Sequence, residues 1–353
     1  MKILFVTDLY PISEDEKATP RTLFDFVKCW MECGHSVDVL KPNFLFNSFV
    51  RKKKFYKTGW YKNVFNVNYF TPFWFDVAQK IPKISYDVIV AHMPSGIIFA
   101  NKLDGKLICA VHNSDIEVLT NPLYSVYFKL EMEKAYEKSI GIACRSRQLK
   151  KKFLNLYPQY EEKTFLCESG INFEPILRES ETVKNIVVCA NLIKRKNVDK
   201  LIMAVNDLPQ FNLTVIGDGK ELKHLKRIAK SNISLVGRKS NKEVLDIMRK
   251  SDIFILPSID ETFGMVYLEA MGCGCITVGI KNEGIDGIIK DSENGFLIKP
   301  TISDIQSVLK QINSMSVQQR NSILQNCYNT VKSYNIKDCA NNYVKNVLQL
   351  LYK

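Results

Sequence analysis

The sequence predicts an α/β protein built from two Rossmann-like, doubly wound domains. The chain has 353 residues, which is too long for one typical hydrophobic core. From end to end, short apolar runs alternate with stretches of helical periodicity, and this alternation is typical of parallel sheets covered by helices. Apolar residues make up 46% and charged residues 24% of the chain, which is the ordinary balance of a globular protein.

Residues 1–175 are predicted to form the first domain. Its strands are the short apolar runs at residues 2–7, 36–40, 86–92, 106–112, 140–145 and 164–168. Its helices are the segments with apolar residues three and four apart, at 22–33, 123–138 and 146–156. The N-terminus lacks a small-residue cleavage site after its apolar run, so we expect a first strand there rather than a signal peptide.

Residues 176–333 are predicted to form the second domain, after a polar, aperiodic linker at 172–183 that contains a proline. Strands are expected at 185–190, 212–217, 233–237, 252–256 and 275–279. Helices are expected at 198–207, 221–230, 242–249 and 264–271, and helical periodicity dominates from residue 302 onward. Open sheets of this kind bind ligands beyond the carboxyl ends of their strands.

The segment 257–274, PSIDETFGMVYLEAMGCG, is the most informative part of the chain. Glu261 lies in the predicted loop and Glu269 in the following helix, and Phe263, Gly264, Met265 and Val266 stand between them. The start of a helix after a strand and a glycine loop binds anions through free N–H groups and the helix dipole. Two carboxylates beside a bound anion are well placed to accept hydrogen bonds from hydroxyl groups. A nucleotide-sugar diphosphate offers both kinds of group.

This segment resembles the Glu-x7-Glu signature of the retaining glycosyltransferases of family 4. The resemblance implies the GT-B fold, in which two Rossmann-like domains face each other across a cleft and a last helix, here in 334–353, crosses back to the first domain. It implies that Glu261 holds hydroxyls of the donor sugar and that Glu269 holds the ribose. It also implies catalysis with no metal ion and no other cofactor, the nucleotide sugar being a co-substrate.

Residues 190–202, ANLIKRKNVDKLI, follow the first strand of the second domain and resemble the family motif Gly-Arg-Leu-x3-Lys-Gly. Lys196 matches the motif lysine, whose ammonium neutralises the donor diphosphate in the family. Asn191 stands where the family often has arginine, and Asn197 where it usually has glycine. We expect Arg195 to supply the second cationic contact.

Further candidates rest on the same resemblance. His112, in Val-His-Asn-Ser-Asp, matches a histidine that reaches the donor sugar across the cleft, and His92 ends the preceding strand, where it could line the acceptor side. Gly217 stands in a βα turn near the donor, although a tight turn without ligand contact would also require glycine. Arg238 occupies the position of the base-recognising loop. Thr19 lies in the loop that replaces the family's Gly-Gly phosphate contact.

The chain carries a formal net charge of +12, and the excess is concentrated. Residues 39–75 contain seven Lys or Arg and no acid, including Arg51, Lys52, Lys53 and Lys54 among Trp and Phe residues. Basic residues mixed with aromatics are typical of surfaces that bind anionic membranes. They also occur in nucleic-acid-binding proteins, which we consider less well supported here, and on ordinary solvated faces. We expect contact with a membrane surface and no nucleic acid. No apolar run is long enough to span a bilayer.

These observations predict a metal-independent hexosyltransferase of class EC 2.4. It would move a hexose or N-acetylhexosamine from a UDP-sugar to a glycan or lipid-linked acceptor in surface polysaccharide or glycolipid synthesis. We expect it in the cytoplasm or on the inner face of the plasma membrane, with its ten cysteines reduced. Two alternatives stay open: a GT-B epimerase or hydrolase acting on a nucleotide sugar, and a non-enzymatic basic surface-binding protein.

Overall fold

The structure is a computed structural model that describes residues 1–11, 22–44, 64–69 and 85–352. It divides into two compact units, one formed by Met1–Ser169 with Ile336–Lys353 and the other by Gly170–Asn335. Each unit is a parallel α/β sheet covered by helices, so the predicted fold class is confirmed. Thr19 and the basic run from Arg51 to Lys54 lie outside the described residues.

Within the described residues, the first unit contains a seven-stranded parallel sheet in the order β3-β2-β1-β4-β5-β6-β7. Its strands are β1 Lys2–Val6, β2 Ser36–Phe44, β3 Val64–Tyr69, β4 Val88–His92, β5 Leu107–Val111, β6 Gly141–Cys144 and β7 Thr164–Leu166. The central strands β4, β5 and β6 are buried along their whole length. Continuous apolar runs of this kind are what a parallel sheet covered on both faces requires.

The helices of the first unit begin with α1 Thr22–Glu32, α2 Met93–Ala100, α3 Asn113–Thr120, α4 Pro122–Lys138 and α5 Arg147–Leu156. Side-chain caps fix two of these starts, because Asn121 accepts a hydrogen bond from the Leu123 N–H and Ser146 accepts one from the Leu149 N–H.

The second unit repeats the architecture with a six-stranded parallel sheet in the order β10-β9-β8-β11-β12-β13. Its strands are β8 Asn185–Cys189, β9 Asn212–Ile216, β10 Ile233–Gly237, β11 Ile253–Ile255, β12 Ile276–Ile280 and β13 Phe296–Ile298. Its helices are α6 Val198–Asn206, α7 Leu222–Ile228, α8 Asn241–Arg249, α9 Met265–Gly272, α10 Ile302–Ser314 and α11 Val317–Lys332.

The last helix, α12 Ile336–Leu351, belongs to the first unit. The indole N–H of Trp30 on α1 donates to the Ala340 carbonyl of α12 at 2.9 Å. The Tyr343 ring packs edge-on against Trp30 and Phe26, with centroid distances of 5.3 and 5.8 Å. The chain therefore passes through the second unit and completes the first unit's core with its final helix.

Among the described residues, β3, α2 and α3 are elements that the sequence pattern did not predict. The proposed linker at 172–183 is also bound to the second unit. Arg178 pairs with Asp252 at 2.6 Å, and the Arg320 guanidinium donates to the carbonyl oxygens of Ser180 and Glu181 at 3.3 and 2.8 Å. These contacts hold the segment against the second core, so it is not a free connection.

In both sheets the strand order reverses once, between β1 and β4 in the first unit and between β8 and β11 in the second. At such a point the two connecting loops diverge to opposite faces of the sheet and leave a crevice at the carboxyl edge. The loops after these four strands are therefore the positions at which the fold presents side chains to a ligand.

Candidate functional site

Lys196 lies at the reversal point of the second sheet, in the loop that follows β8. A 3-10 turn, Lys194–Lys196, ends at Asn197, which has a left-handed backbone with φ 49°. Asparagine tolerates this conformation better than most residues with a side chain. The Asn197 amide also donates to the Pro257 carbonyl at 2.9 Å and joins this loop to the one after β11. Asn197 therefore fills the position where the family usually has glycine, and it fixes Lys196, which is only 9% exposed.

Glu261 lies in the loop after β11, and its carboxylate meets Lys196 directly. Glu261 Oε1 forms an ion pair with Lys196 Nζ and accepts a hydrogen bond from the buried Ser258 hydroxyl at 2.7 Å. The Glu261 backbone N–H donates to Glu283 Oε2 at 3.0 Å. Side chains from the two strands that flank the reversal point are thus brought together, and they leave Glu261 Oε2 as the carboxylate oxygen without a recorded bond among the described residues.

Arg195 adds a second cation beside the same carboxylate. Its guanidinium nitrogen lies 3.8 Å from Glu261 Oε1 and donates to the carbonyl oxygens of Ile259 and Asp260 at 3.1 and 3.3 Å. The Arg195 side chain is 41% exposed, whereas that of Lys196 is 11% exposed. The carbonyl contacts hold the Arg195 guanidinium in place while the side chain stays partly exposed, so an anion from solution could contact it.

Helix α9 begins next to Glu261, and its start depends on two glycines. Gly264 has φ 87°, and a Cβ there would lie 2.6 Å from Tyr267 Cδ2. A Cβ on Gly284 would lie 2.6 Å from the Phe263 backbone nitrogen. The side chain of Phe263 is buried, while Met265 and Val266 occupy the first turn, whose N–H groups have no acceptor within the helix. The backbone N–H groups of this turn, rather than the buried Phe263 ring, are therefore the groups that a ligand could contact.

Glu269 lies five residues into α9 and is partly buried. Burial raises the pKa of its carboxyl above the ordinary value, and a hydrogen bond of 3.4 Å from Asn241 Nδ2 opposes that rise. Its negative charge also contributes to the raised pKa of the Cys189 thiol, to about 12, for which burial is the main cause. Glu269 therefore lies within electrostatic reach of Cys189, the last residue of β8.

The remaining predicted residues of the second unit have weaker structural grounds. A Cβ on Gly217 would collide with the Ala190 carbonyl oxygen, so backbone packing alone requires glycine there. Arg238 is exposed in the turn after β10, and the structure assigns it no role. The sequence did not identify Ser258 or Glu283 as site residues, because serine and glutamate are common in loops. Only their contacts with Glu261 show that they belong to the site.

His112 stands just past β5, at the start of α3, and its backbone N–H donates to Asp115 Oδ2 at 2.8 Å. Its ring Nε2 lies 3.0 Å from Nδ1 of His92, the last residue of the neighbouring strand β4. Burial and, to a smaller extent, the positive charge of Arg145 together lower the pKa of His112 to about 3. His92 has 0% exposure, so it does not line an acceptor surface as the sequence suggested; its pKa is lowered by burial, by His112 and by Arg145.

The described residues lack two features that would change the interpretation of the site. No group of three or more His, Cys, Asp or Glu side chains converges there to hold a metal ion. In the same part of the chain, no helix has both the length and the apolar character needed to cross a membrane.

Comparison with known proteins shows which family this sequence matches. Residues 172–330 match the family model described as "Glycosyl transferases group 1". An uncharacterized glycosyltransferase from Methanocaldococcus jannaschii is 32% identical over 244 residues, covering 66% of this chain and 67% of that protein. A UDP-Gal:alpha-D-GlcNAc-diphosphoundecaprenol alpha-1,3-galactosyltransferase from Escherichia coli is 28% identical over 257 residues, covering 68% of this chain and 61% of that protein.

A solved structure extends the likeness to the whole fold. Anabaena HepE, crystallised in complex with UDP and glucose, superposes with a TM-score of 0.72 over 99% of this chain and 100% of that chain. The two sequences are 16% identical, so this likeness concerns the fold.

Proposed function

The chain belongs to the group 1 glycosyltransferases, and we propose that it is a retaining member of family 4 that uses a UDP-sugar. It would transfer a hexose or N-acetylhexosamine to a glycan or lipid-linked acceptor in surface polysaccharide or glycolipid synthesis. The observation that carries the proposal is the contact of Lys196 with Glu261, at the reversal point of the second sheet and beside the start of α9. The names of the Escherichia coli relative and of the HepE complex support UDP as the nucleotide.

The charges of the site fit departure of a diphosphate. Negative charge develops on the leaving diphosphate in the transition state, and preorganised positive groups at that position lower the barrier most. Lys196, Arg195 and the free N–H groups at the start of α9 are three such groups held by the protein. We propose that they replace a divalent metal ion in this role.

The carboxylates have separate roles in the proposal. Glu261 accepts hydrogen bonds from hydroxyls of the donor sugar through Oε2, because Lys196 and Ser258 bind Oε1. Glu269 accepts hydrogen bonds from the ribose, and His112 of the first unit donates one to a sugar hydroxyl. The sugar passes through an oxocarbenium-like state, and the acceptor attacks the face from which the diphosphate departs.

A transfer assay tests reaction type and stereochemistry together. The wild-type chain and Glu261→Gln are incubated in EDTA with each of four UDP-sugars (glucose, galactose and their N-acetylamino forms) and a short-chain GlcNAc-diphosphate lipid. We expect UDP release by the wild type only, and a product whose anomeric proton coupling in NMR matches that of the donor. An inverted product, or activity only after a divalent metal is added, contradicts the proposal. Equal sugar release without acceptor indicates a hydrolase instead.

We propose further that the first unit contacts an anionic membrane from the cytoplasmic side. Leu123, Val126 and Leu130 are 78%, 79% and 63% exposed on α4, at a spacing that puts them on one side of the helix. Arg147 and Lys151 are exposed on α5, which carries no acid. Exposed apolar side chains with nearby basic charge suit a lipid interface.

Sedimentation with vesicles tests the membrane contact. We expect the chain to sediment with vesicles that contain phosphatidylglycerol and to stay in solution with pure phosphatidylcholine. Leu123→Ser/Val126→Ser should weaken the binding, whereas Met203→Ser, an exposed change on the second unit, should not. Equal binding by both variants would refute a role for α4.

A further inference from the structure

Three polar side chains form a chain through the core of the first unit, from the last helix to His112. The Tyr343 hydroxyl of α12 lies 3.2 Å from His92 Nε2, and His92 Nδ1 lies 3.0 Å from His112 Nε2. Tyr343 and His92 have 0% exposure, whereas His112 is partly exposed. The chain therefore joins a fully buried hydroxyl to a histidine that can contact a ligand.

The surroundings of this chain are apolar and aromatic. The His92 ring lies 4.9 Å from that of Phe5, and Tyr343 packs against Trp30 and Phe26. The charge that acts on both histidines is the Arg145 guanidinium, whose Cζ lies 5.1 Å from the centroid of Phe26. Burial and this positive charge lower the pKa values of both histidines, so both rings are neutral and each carries one proton.

The number of protons on these three side chains determines which atom donates in each of their hydrogen bonds. If His92 Nε2–H donated to Tyr343, the buried hydroxyl hydrogen would need a second acceptor, and the described residues record none for it. Tyr343 therefore donates to His92 Nε2. The proton of His92 is then on Nδ1, where it donates to His112 Nε2. His112 Nε2 accepts, so the one proton of that ring is on Nδ1.

We propose that Tyr343 is a positioning residue that acts through His92 to hold His112 in the Nδ1–H tautomer. In this tautomer the Nδ1–H of His112 can only donate a hydrogen bond, which suits a sugar hydroxyl oxygen and excludes an alternative geometry in which the ring accepts. The catalytic consequence rests on the proposed role of His112, whereas the tautomer itself does not. Tyr343 contacts neither substrate nor reacting atoms in this account.

Nitrogen NMR of histidine-labelled protein tests the tautomer directly. The protein has four histidines, and the signals of His112 are those lost in His112→Gln. In the wild type we expect a pyrrole-type Nδ1 and a pyridine-type Nε2 for His112. In Tyr343→Phe we expect both shifts to move toward the average of the two tautomers. A pyrrole-type Nε2 in the wild type, or unchanged signals in Tyr343→Phe, overturns the proposal.

Tyr136→Phe is the matched control. Tyr136 is also fully buried in the first unit, and its hydroxyl has no hydrogen-bond partner among the described residues. Removing that hydroxyl should leave the His112 signals and the transfer rate unchanged. Tyr343→Phe should lower kcat of UDP-sugar turnover by about fivefold, the loss expected for one misdirected hydrogen bond, with little change in KM.

A double variant separates this proposal from the proposed function. In the His112→Gln background, Tyr343→Phe should cause no further loss, because its effect passes through His112. A purely structural role for Tyr343 would slow both backgrounds equally and refutes the proposal. If His112→Gln retains wild-type turnover, the role of His112 in transfer fails, while the NMR result still decides the tautomer.

Discussion

Lys196 and Glu261 share one buried ion pair, so each residue affects the stability of the other. Their side chains are 11% and 13% exposed, and removal of one partner leaves the other charge poorly solvated. We expect Lys196→Met to lower the free energy of unfolding by roughly 1–3 kcal/mol. The double variant Lys196→Met/Glu261→Gln should recover part of this loss and still lack transfer. Urea denaturation and the transfer assay measure the two effects separately.

The exposed pair of Arg249 and Asp246 is the control for that experiment. Its atoms lie 2.9 Å apart, but the side chains are 37% and 49% exposed, so Arg249→Met should cost less than about 1 kcal/mol. If Lys196→Met were no more costly than Arg249→Met, the buried ion pair would not contribute as described.

Glu269 should make stability depend on pH in a defined direction. Its folded pKa is raised above the ordinary value of 4.5, so the folded state holds its proton more tightly than the unfolded state does. Well below pH 4.5 the carboxyl is protonated in both states, so no charge is buried on folding. As pH rises through the folded pKa, the wild type loses stability relative to Glu269→Gln. Thermal unfolding of the two proteins from pH 4 to pH 8 should therefore show a gap that opens with pH.

Glu243 provides a comparison of opposite sign. Hydrogen bonds from Ser240, its partner in the capping box of α8, lower the pKa of the exposed Glu243 carboxyl. Glu243→Gln should therefore be less stable than the wild type at pH 8 and should approach it at low pH. A gap for Glu269→Gln that is constant with pH would show that the carboxyl is not desolvated.

At the scale of single elements, the start of α9 depends on Gly264. Alanine there combines φ 87° with a Cβ 2.6 Å from the Tyr267 ring, and Tyr267 is fixed because its hydroxyl donates to the Leu256 carbonyl at 2.7 Å. We expect Gly264→Ala to lower stability by about 1–3 kcal/mol and to weaken UDP binding, because the first turn moves. Denaturation and calorimetry measure both.

Gly34→Ala is the matched control for this change. Gly34 has nearly the same backbone, φ 84°, but its Cβ would meet nothing within 4 Å. It should show the cost of a left-handed alanine alone, with UDP binding unchanged. Equal effects of the two substitutions would mean that the contact with Tyr267 is not what fixes the helix start.

The sequence predicted strongly periodic elements well and short mixed ones poorly. Strands such as β4 and β5 were found to within two residues at each end, because continuous Val and Ile runs have few alternatives in an α/β chain. Helix α2 begins Met-Pro-Ser-Gly, which is typical of a turn, and α3 contains Asn, Ser, Asp and Thr, which are weak helix formers. Both form because tertiary contacts support them: α2 packs against strands of the sheet, and Asp115 caps the start of α3.

The site residues also differ in how well the sequence predicts them. Lys196 and Glu261 were candidates from two separate motifs, and only the strand order brings them together. Tyr343 could not be found from sequence, because it lies 251 residues from His92 and its neighbours on α12 form an ordinary amphipathic pattern. Contacts of this kind depend on how distant elements pack, which local periodicity does not encode.

At the scale of the whole molecule, two units repeat one architecture with different side chains at the carboxyl ends of their strands. The first has the neutral histidines His92, which ends β4, and His112, which follows β5, and the second has Lys196, Arg195 and Glu261 after β8 and β11. The second unit therefore has the charges needed by a diphosphate. The net charge of +12 adds long-range attraction for anionic ligands, which weakens with salt.

The most direct test is calorimetric titration of the full chain with UDP, GDP, ADP and CMP in EDTA, repeated on Lys196→Met and Gly34→Ala. We expect UDP to bind the wild type and Gly34→Ala equally and Lys196→Met far more weakly. At about 100 times its dissociation constant, UDP should also add roughly 2.7 kcal/mol of stability to the wild type. Equal UDP binding by Lys196→Met and the wild type, or no binding of any nucleotide, would contradict these expectations.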